Sequence, residues 1–118
     1  MPIDRVETRK ADALSTAAIL FRGLADPARL AIVQRLARGE ARVVDLVAQL
    51  KLAQSTVSGH LACLRECGLV EFRSVGRQSF YSLSRPELRD VLAAAEALLK
   101  GTGHKVALCS RYSQKGRT

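Results

Sequence analysis

Apolar residues along this chain recur first at helical spacing and then, over one short stretch, at strand spacing. From about Lys10 to Phe21 the Ala- and Leu-rich run ADALSTAAILF predicts a helix on propensity. The next stretch, LADPARLAIVQRLARGE, predicts a second helix. Asp26 is a good N-cap, Pro27 suits the first helical position, Leu30, Val33 and Leu36 recur at helical spacing, and Gly39 ends it. Val43, Leu46, Val47 and Leu50 share one side of a short third helix. After a turn at Lys51-Leu52, AQSTVSGHLACLRECG predicts a fourth, with Val57, Leu61 and Leu64 as its apolar stripe. Gly68 stands where a left-handed residue closes a helix, whereas Ala53 is a poor cap and leaves the first turn undefined.

The period then changes. LVEFRSV and QSFYSLS, rich in Val, Phe and Tyr, flank Gly76-Arg77 and predict a β-hairpin. Ser84-Arg85-Pro86-Glu87 spells a capping box, so a last helix is expected from about Arg85 to Gly101, with Leu88, Val91, Leu92, Ala95 and Leu99 on its apolar face. The expected organisation is a flexible N-terminal arm (1–9), one domain (10–101), and a basic C-terminal tail (102–118) carrying Cys109. Two helices joined by a short turn and followed directly by a hairpin make a mainly α fold with a β-hairpin wing, the winged helix-turn-helix.

Composition narrows the partner. At 118 residues, 47% hydrophobic and 25% charged, the chain fits one soluble domain. It has no apolar run long enough for a membrane helix, and MPIDRVETRK lacks the apolar segment of a signal peptide, so a cytoplasmic protein is expected. A net charge of +8 points to a polyanion. Aromatic residues are only 4%, with no Trp, which argues against base stacking and favours a duplex held through its phosphates. Double-stranded DNA is therefore the expected partner. If Val57, Leu61 and Leu64 face the core, Gln54, Ser55, Ser58 and Gly59 face outward, the polar ones able to bond base edges or phosphates and Gly59 permitting close approach. Thr56 and His60 lie beside them as further DNA-facing candidates, and Arg73 and Arg77 sit on the hairpin, where a flanking phosphate or minor groove is in reach. Singly, each of these reads equally well as solvated surface. No Ser-His-Asp set, phosphate loop or paired carboxylates occur, so an enzyme is not expected, nor an organic cofactor.

LADPARLAIVQRLARGE, then VVDLVAQLKLAQSTVSGHLACLRECGLV, then GRQSFYSL resemble the ArsR/SmtB metalloregulators over about residues 14–100. The resemblance implies a homodimer built mainly from the first and last helices, bound to a two-fold symmetric operator. It also implies a repressor that ligand binding releases. Gly59 departs from the family, where a larger polar residue is common.

The three cysteines, an odd number, suggest reduced thiols rather than a disulfide framework. Cys63 and Cys67, four apart on the fourth helix, fall on one face in a stripe with Thr56 and His60. A lone helical cysteine is often just a small buried apolar side chain. Two thiolates at this spacing can chelate one soft ion, and Cys109 is the only thiol left to complete a trigonal site. Such a site suits Cd(II), Pb(II), As(III), Sb(III) or Hg(II) better than structural zinc. CLREC plus one tail cysteine is similar to the cadmium- and lead-sensing CmtR branch of the family, which implies Cys63, Cys67 and Cys109 as the ligands. The third helix lacks a cysteine pair, and the last lacks the Asp and His ligands of the zinc sensors; His104 lies close enough to Cys109 in sequence to serve as a spare ligand but is not counted in the site. Two other readings stay open: a thiol redox or persulfide sensor on the same fold, and a basic nucleic-acid-binding module that senses nothing.

Overall fold

The computed structural model describes residues 5–108, with side chains from residue 10 onward. Five helices and three short strands follow in the order α1 (Arg5–Leu24), α2 (Pro27–Leu36), β1 (Ala41–Arg42), α3 (Val43–Leu50), α4 (Gln54–Glu66), β2 (Val70–Val75), β3 (Gln78–Leu83) and α5 (Glu87–Gly101). This is the expected winged helix-turn-helix with one added strand. Cys109 and the rest of the tail lie outside the described residues.

Local chemistry sets most boundaries. Asp26 is extended and its Oδ1 accepts from the backbone N–H groups of Ala28 (2.8 Å) and Arg29 (3.1 Å), so α2 starts at Pro27. Asp45 performs the same service for α3, accepting the Arg42 backbone N–H at 3.0 Å and both arms of its guanidinium at 2.9–3.0 Å. That clamp holds the Asp45 carboxyl down at about 2. Lys51, at φ 57°, takes the left-handed conformation that ends α3 and turns the chain into α4. Gly76, at φ 62°, allows the two-residue hairpin turn that sets Val75 opposite Gln78.

Three expectations are corrected. The first helix begins at Arg5 rather than about Lys10, because the run from Arg5 to Arg22 contains neither Gly nor Pro to stop it. The wing has a third strand, because Ala41 and Arg42 pair with Tyr81 and Phe80 in a sheet of order β1-β3-β2. The capping box at Ser84 does not form. The Ser84 backbone N–H donates to the Leu69 carbonyl at 3.0 Å, extending the hairpin, so it has no need of Glu87, and α5 starts at Glu87 without a side-chain cap.

Ile32, Val33 and Leu36 of α2, Leu46 of α3 and Val57, Leu61 and Leu64 of α4 are essentially inaccessible and form the centre of the core. Leu69, Val70, Leu88 and Leu92 close it from the wing and α5. Full burial of such side chains contributes roughly 1.5–3 kcal/mol each, so this cluster is what holds α4 at its angle. No helix among the described residues is long and apolar enough to cross a membrane.

Candidate functional site

Burying Val57, Leu61 and Leu64 turns the opposite side of α4 to solvent, and Gln54, Ser55, Thr56, Ser58 and Gly59 are all exposed there. A Cβ built on Gly59 would meet nothing within 4 Å. The fold itself does not require glycine at this position, although glycine in a helix costs roughly 0.5–1 kcal/mol against alanine. Freedom for an outside surface to approach is what it provides. An open groove of about 400 Å³ runs beside this surface between α3 and the wing, with Val43, Val44, Val47, Gln54, Arg77 and Tyr81 among its walls. Sequence reading missed it, because it is a product of how the wing folds back on α3.

The two wing arginines differ. Arg77 stands exposed at the hairpin turn with no bond or ion pair among the described residues. Arg73 grips the Glu40 carboxylate with two nitrogens (2.6 and 3.0 Å) and lies over the Phe80 ring, its carbon 5.1 Å from the centroid. This bidentate contact holds the Glu40 carboxyl below its ordinary range. Arg73 therefore fastens the wing to the β1 approach rather than standing free.

His60 turns inward. It is half-buried, its Nδ1 3.3 Å from Nη1 of Arg29 and its Nε2 3.8 Å from Oδ1 of Asp26. Of the residues it meets, Asp26 was read from sequence only as a cap, and Arg29 was not singled out.

Cys63 and Cys67 are both half-buried free thiols at the end of α4. Cys67 caps the helix in right-handed geometry and donates its N–H to the Cys63 carbonyl at 3.1 Å, so the helical i, i+4 relation persists and sets both cysteines on one side of the helix end. Burial, more than the neighbouring Cys63, pushes the Cys67 thiol up, and the positive charge of Arg29 works in the opposite direction. Its sulfur packs on Gly23 of α1, where a Cβ would stand only 3.1 Å from Sγ. Among the described residues no group of three His, Cys, Asp or Glu side chains gathers closely enough to hold an ion. The thiol pair thus offers two soft donors and needs another from elsewhere. His104 is exposed and shares a hydrogen bond with the Thr102 hydroxyl at 3.2 Å. Beyond it the chain folds back, the Gln34 amide donating to the Ala107 carbonyl (2.9 Å) and the Leu108 N–H to Glu96 (2.7 Å).

Comparison with known proteins agrees with this geometry. The family model described as bacterial regulatory protein, arsR family, matches residues 26–71, which span α2 through the start of β2. The chain is 36% identical to the probable mercury resistance operon repressor of Streptomyces lividans, covering 86% of this chain and 81% of that protein. Among solved structures, the homodimeric winged helix-turn-helix DNA-binding domain Mb0332 from Mycobacterium bovis superposes with a TM-score of 0.70 at 29% identity, over 84% of this chain and 94% of that one. The cadmium metal-sensor CmtR from Mycobacterium tuberculosis superposes with a TM-score of 0.57 at 44% identity, over 65% of this chain and 80% of that one.

Proposed function

The chain belongs to the arsR family of bacterial regulatory proteins, the ArsR/SmtB regulators, and on that premise we propose that it is a metal-responsive repressor of transcription. It binds operator DNA as a homodimer and releases it when a thiophilic ion, Cd(II) or Pb(II), or else As(III) or Sb(III), is held by Cys63, Cys67 and Cys109. The observation that carries this reading is the pair of half-buried free thiols, one helical turn apart, at the end of the helix that reads DNA. The similar proteins support it, one named for mercury resistance and another for cadmium sensing.

Gln54, Ser55, Thr56, Ser58 and Gly59 are the surface that enters the major groove, with Arg77 on a flanking phosphate. Leu14, Ile19 and Phe21 of α1 and Leu98 of α5 are large apolar side chains left exposed, which supports pairing of two copies through the first and last helices.

The donor set fits a soft ion. Cys63 and Cys67 bring two thiols to one place, and the basic tail (102–118) would supply the third from Cys109. A bound cation favours the thiolate strongly enough to overcome the burial that raises the Cys67 thiol. The redox alternative gains nothing from that same burial, because the thiolate is the reactive form.

Cys67→Ser is the test. Its operator affinity, measured by anisotropy with and without Cd(II), should lose the ion response while binding without ion persists. An unchanged ion response in this variant removes Cys67 from the site.

A further inference from the structure

Arg29 lies where three helices meet. Its Nε donates to the Gly23 carbonyl at 2.8 Å and its Nη2 to the Arg22 carbonyl at 3.2 Å, so one guanidinium holds the end of α1. From the start of α2 it reaches across to α4, where Nη1 lies 3.3 Å from Nδ1 of His60. A guanidinium can only donate, so His60 Nδ1 must accept. Neutral His60 therefore carries its proton on Nε2, the nitrogen 3.8 Å from the Asp26 carboxylate that caps α2.

The same corner holds the sensor. Cys67 packs on Gly23, so closely that a Cβ there would stand 3.1 Å from its sulfur, and the Gly23 carbonyl is one of those that Arg29 grips. A displacement of the Cys67 sulfur is thus felt at Gly23, passed to Arg29 through that carbonyl, and delivered to His60. On α4, His60 follows directly on Ser58 and Gly59, part of the exposed reading surface.

We propose that Arg29, acting through His60, is the positioning residue that couples the Cys63–Cys67 pair to the DNA-reading face of α4. The proposal rests on the ion-sensing function given above. Arg29 touches neither ion nor DNA; it converts a change at one end of the helix into a change of seating in the middle. Lysine cannot replace it, because one ammonium on an unforked stem does not reach three acceptors on two helices at once. Glutamine at position 60 can stand in for histidine, since its carbonyl oxygen offers Arg29 an acceptor.

The test uses the full-length reduced chain and compares operator Kd with and without Cd(II) for wild type, Arg29→Lys, His60→Phe, His60→Gln and the Arg29→Lys/His60→Phe double variant. Wild type should weaken by up to about 10²-fold with Cd(II), within the usual range of allosteric coupling. Arg29→Lys and His60→Phe should each show less than about a fivefold effect, the double variant no less than either single one, and His60→Gln most of the wild-type effect. The ultraviolet thiolate-to-Cd(II) absorption at saturation should be equal in all five, showing the ligands intact. Nitrogen-15 shifts of the His60 ring in the ion-free protein should report the Nε2–H tautomer, and its loss in Arg29→Lys. A wild-type Cd(II) response retained in both Arg29→Lys and His60→Phe, or a proton on Nδ1 in the wild type, overturns the coupling while leaving the sensor standing. A wild type indifferent to Cd(II) overturns the sensor and the coupling with it.

Discussion

Gly23→Ala puts one methyl group between α1 and the sensor thiol. The new Cβ would stand 3.1 Å from Cys67 Sγ, 3.4 Å from Leu69 Cδ1 and 3.5 Å from Cys67 Cβ. Carbon contacts relax at about 3.5–4.0 Å, and sulfur is larger, so the sulfur contact is too short by several tenths of an ångström. Two effects oppose each other. Alanine in a helix is better than glycine by roughly 0.5–1 kcal/mol. Overpacking a filled contact costs about 1–3 kcal/mol. The sum lies between roughly no change and a loss of about 2.5 kcal/mol, so the protein still folds. Leu69 is buried and Gly23 is held through its carbonyl by Arg29, which leaves Cys67 as the group that gives way. Metal–ligand distances tolerate only about 0.2 Å, so a displaced Sγ should weaken ion binding. A loss of about 10–100-fold is expected, the size seen when the groups that orient a ligand are altered. Chelator competition followed by thiolate absorption gives the affinity, and urea unfolding gives the stability. Gly23→Ala with undiminished ion affinity and raised stability would refute the placement of Cys67 against Gly23.

Leu61→Ala, at a position 1% exposed, should cost about 2–5 kcal/mol in urea unfolding followed by circular dichroism; a loss below 1 kcal/mol would mean that α4 is not seated by this stripe. The Asp45 carboxyl, ordinarily at 3.8 and held at about 2 by Arg42, has a folded value below its unfolded one. Its contribution to stability is therefore present above pH 3.8 and lost as pH falls towards 2. Asp45→Asn should flatten the stability profile in that window, and an identical acid profile in both proteins would contradict the clamp. Arg77→Ala should weaken binding to all DNA sequences alike and reduce the slope of log K against log salt by about 1. A sequence-dependent loss at constant slope would instead make Arg77 a base reader.

Punctuation made much of the fold legible. Asp26-Pro27, Gly68 and Gly76-Arg77 act through their own neighbours, so the starts of α2 and β3 and the end of α4 can be read from a few adjacent residues. The exposed row from Gln54 to Gly59 followed from the buried stripe, because a helix that buries one side must show the other. What was not legible depends on distant partners. β1 is two residues long, too short for any alternation, and exists because Tyr81 and Phe80 come alongside. Ser84 fails as a cap because Leu69 takes its N–H. His60 reads as an outward polar residue until α2 brings Arg29 and Asp26 beside it, and Arg73 reads as free until Glu40 arrives. Thiol adjacency was written in the i, i+4 spacing, but the glycine beneath Cys67 belongs to another helix.

Fluorescence anisotropy of the reduced protein on its own upstream DNA, titrated separately with Cd(II), Pb(II), Sb(III), As(III) and Zn(II), tests the central claim most directly. Release by a soft ion but not by Zn(II) is the predicted result. Tight binding that no ion disturbs would contradict it and leave a DNA-binding protein whose thiols answer to something else.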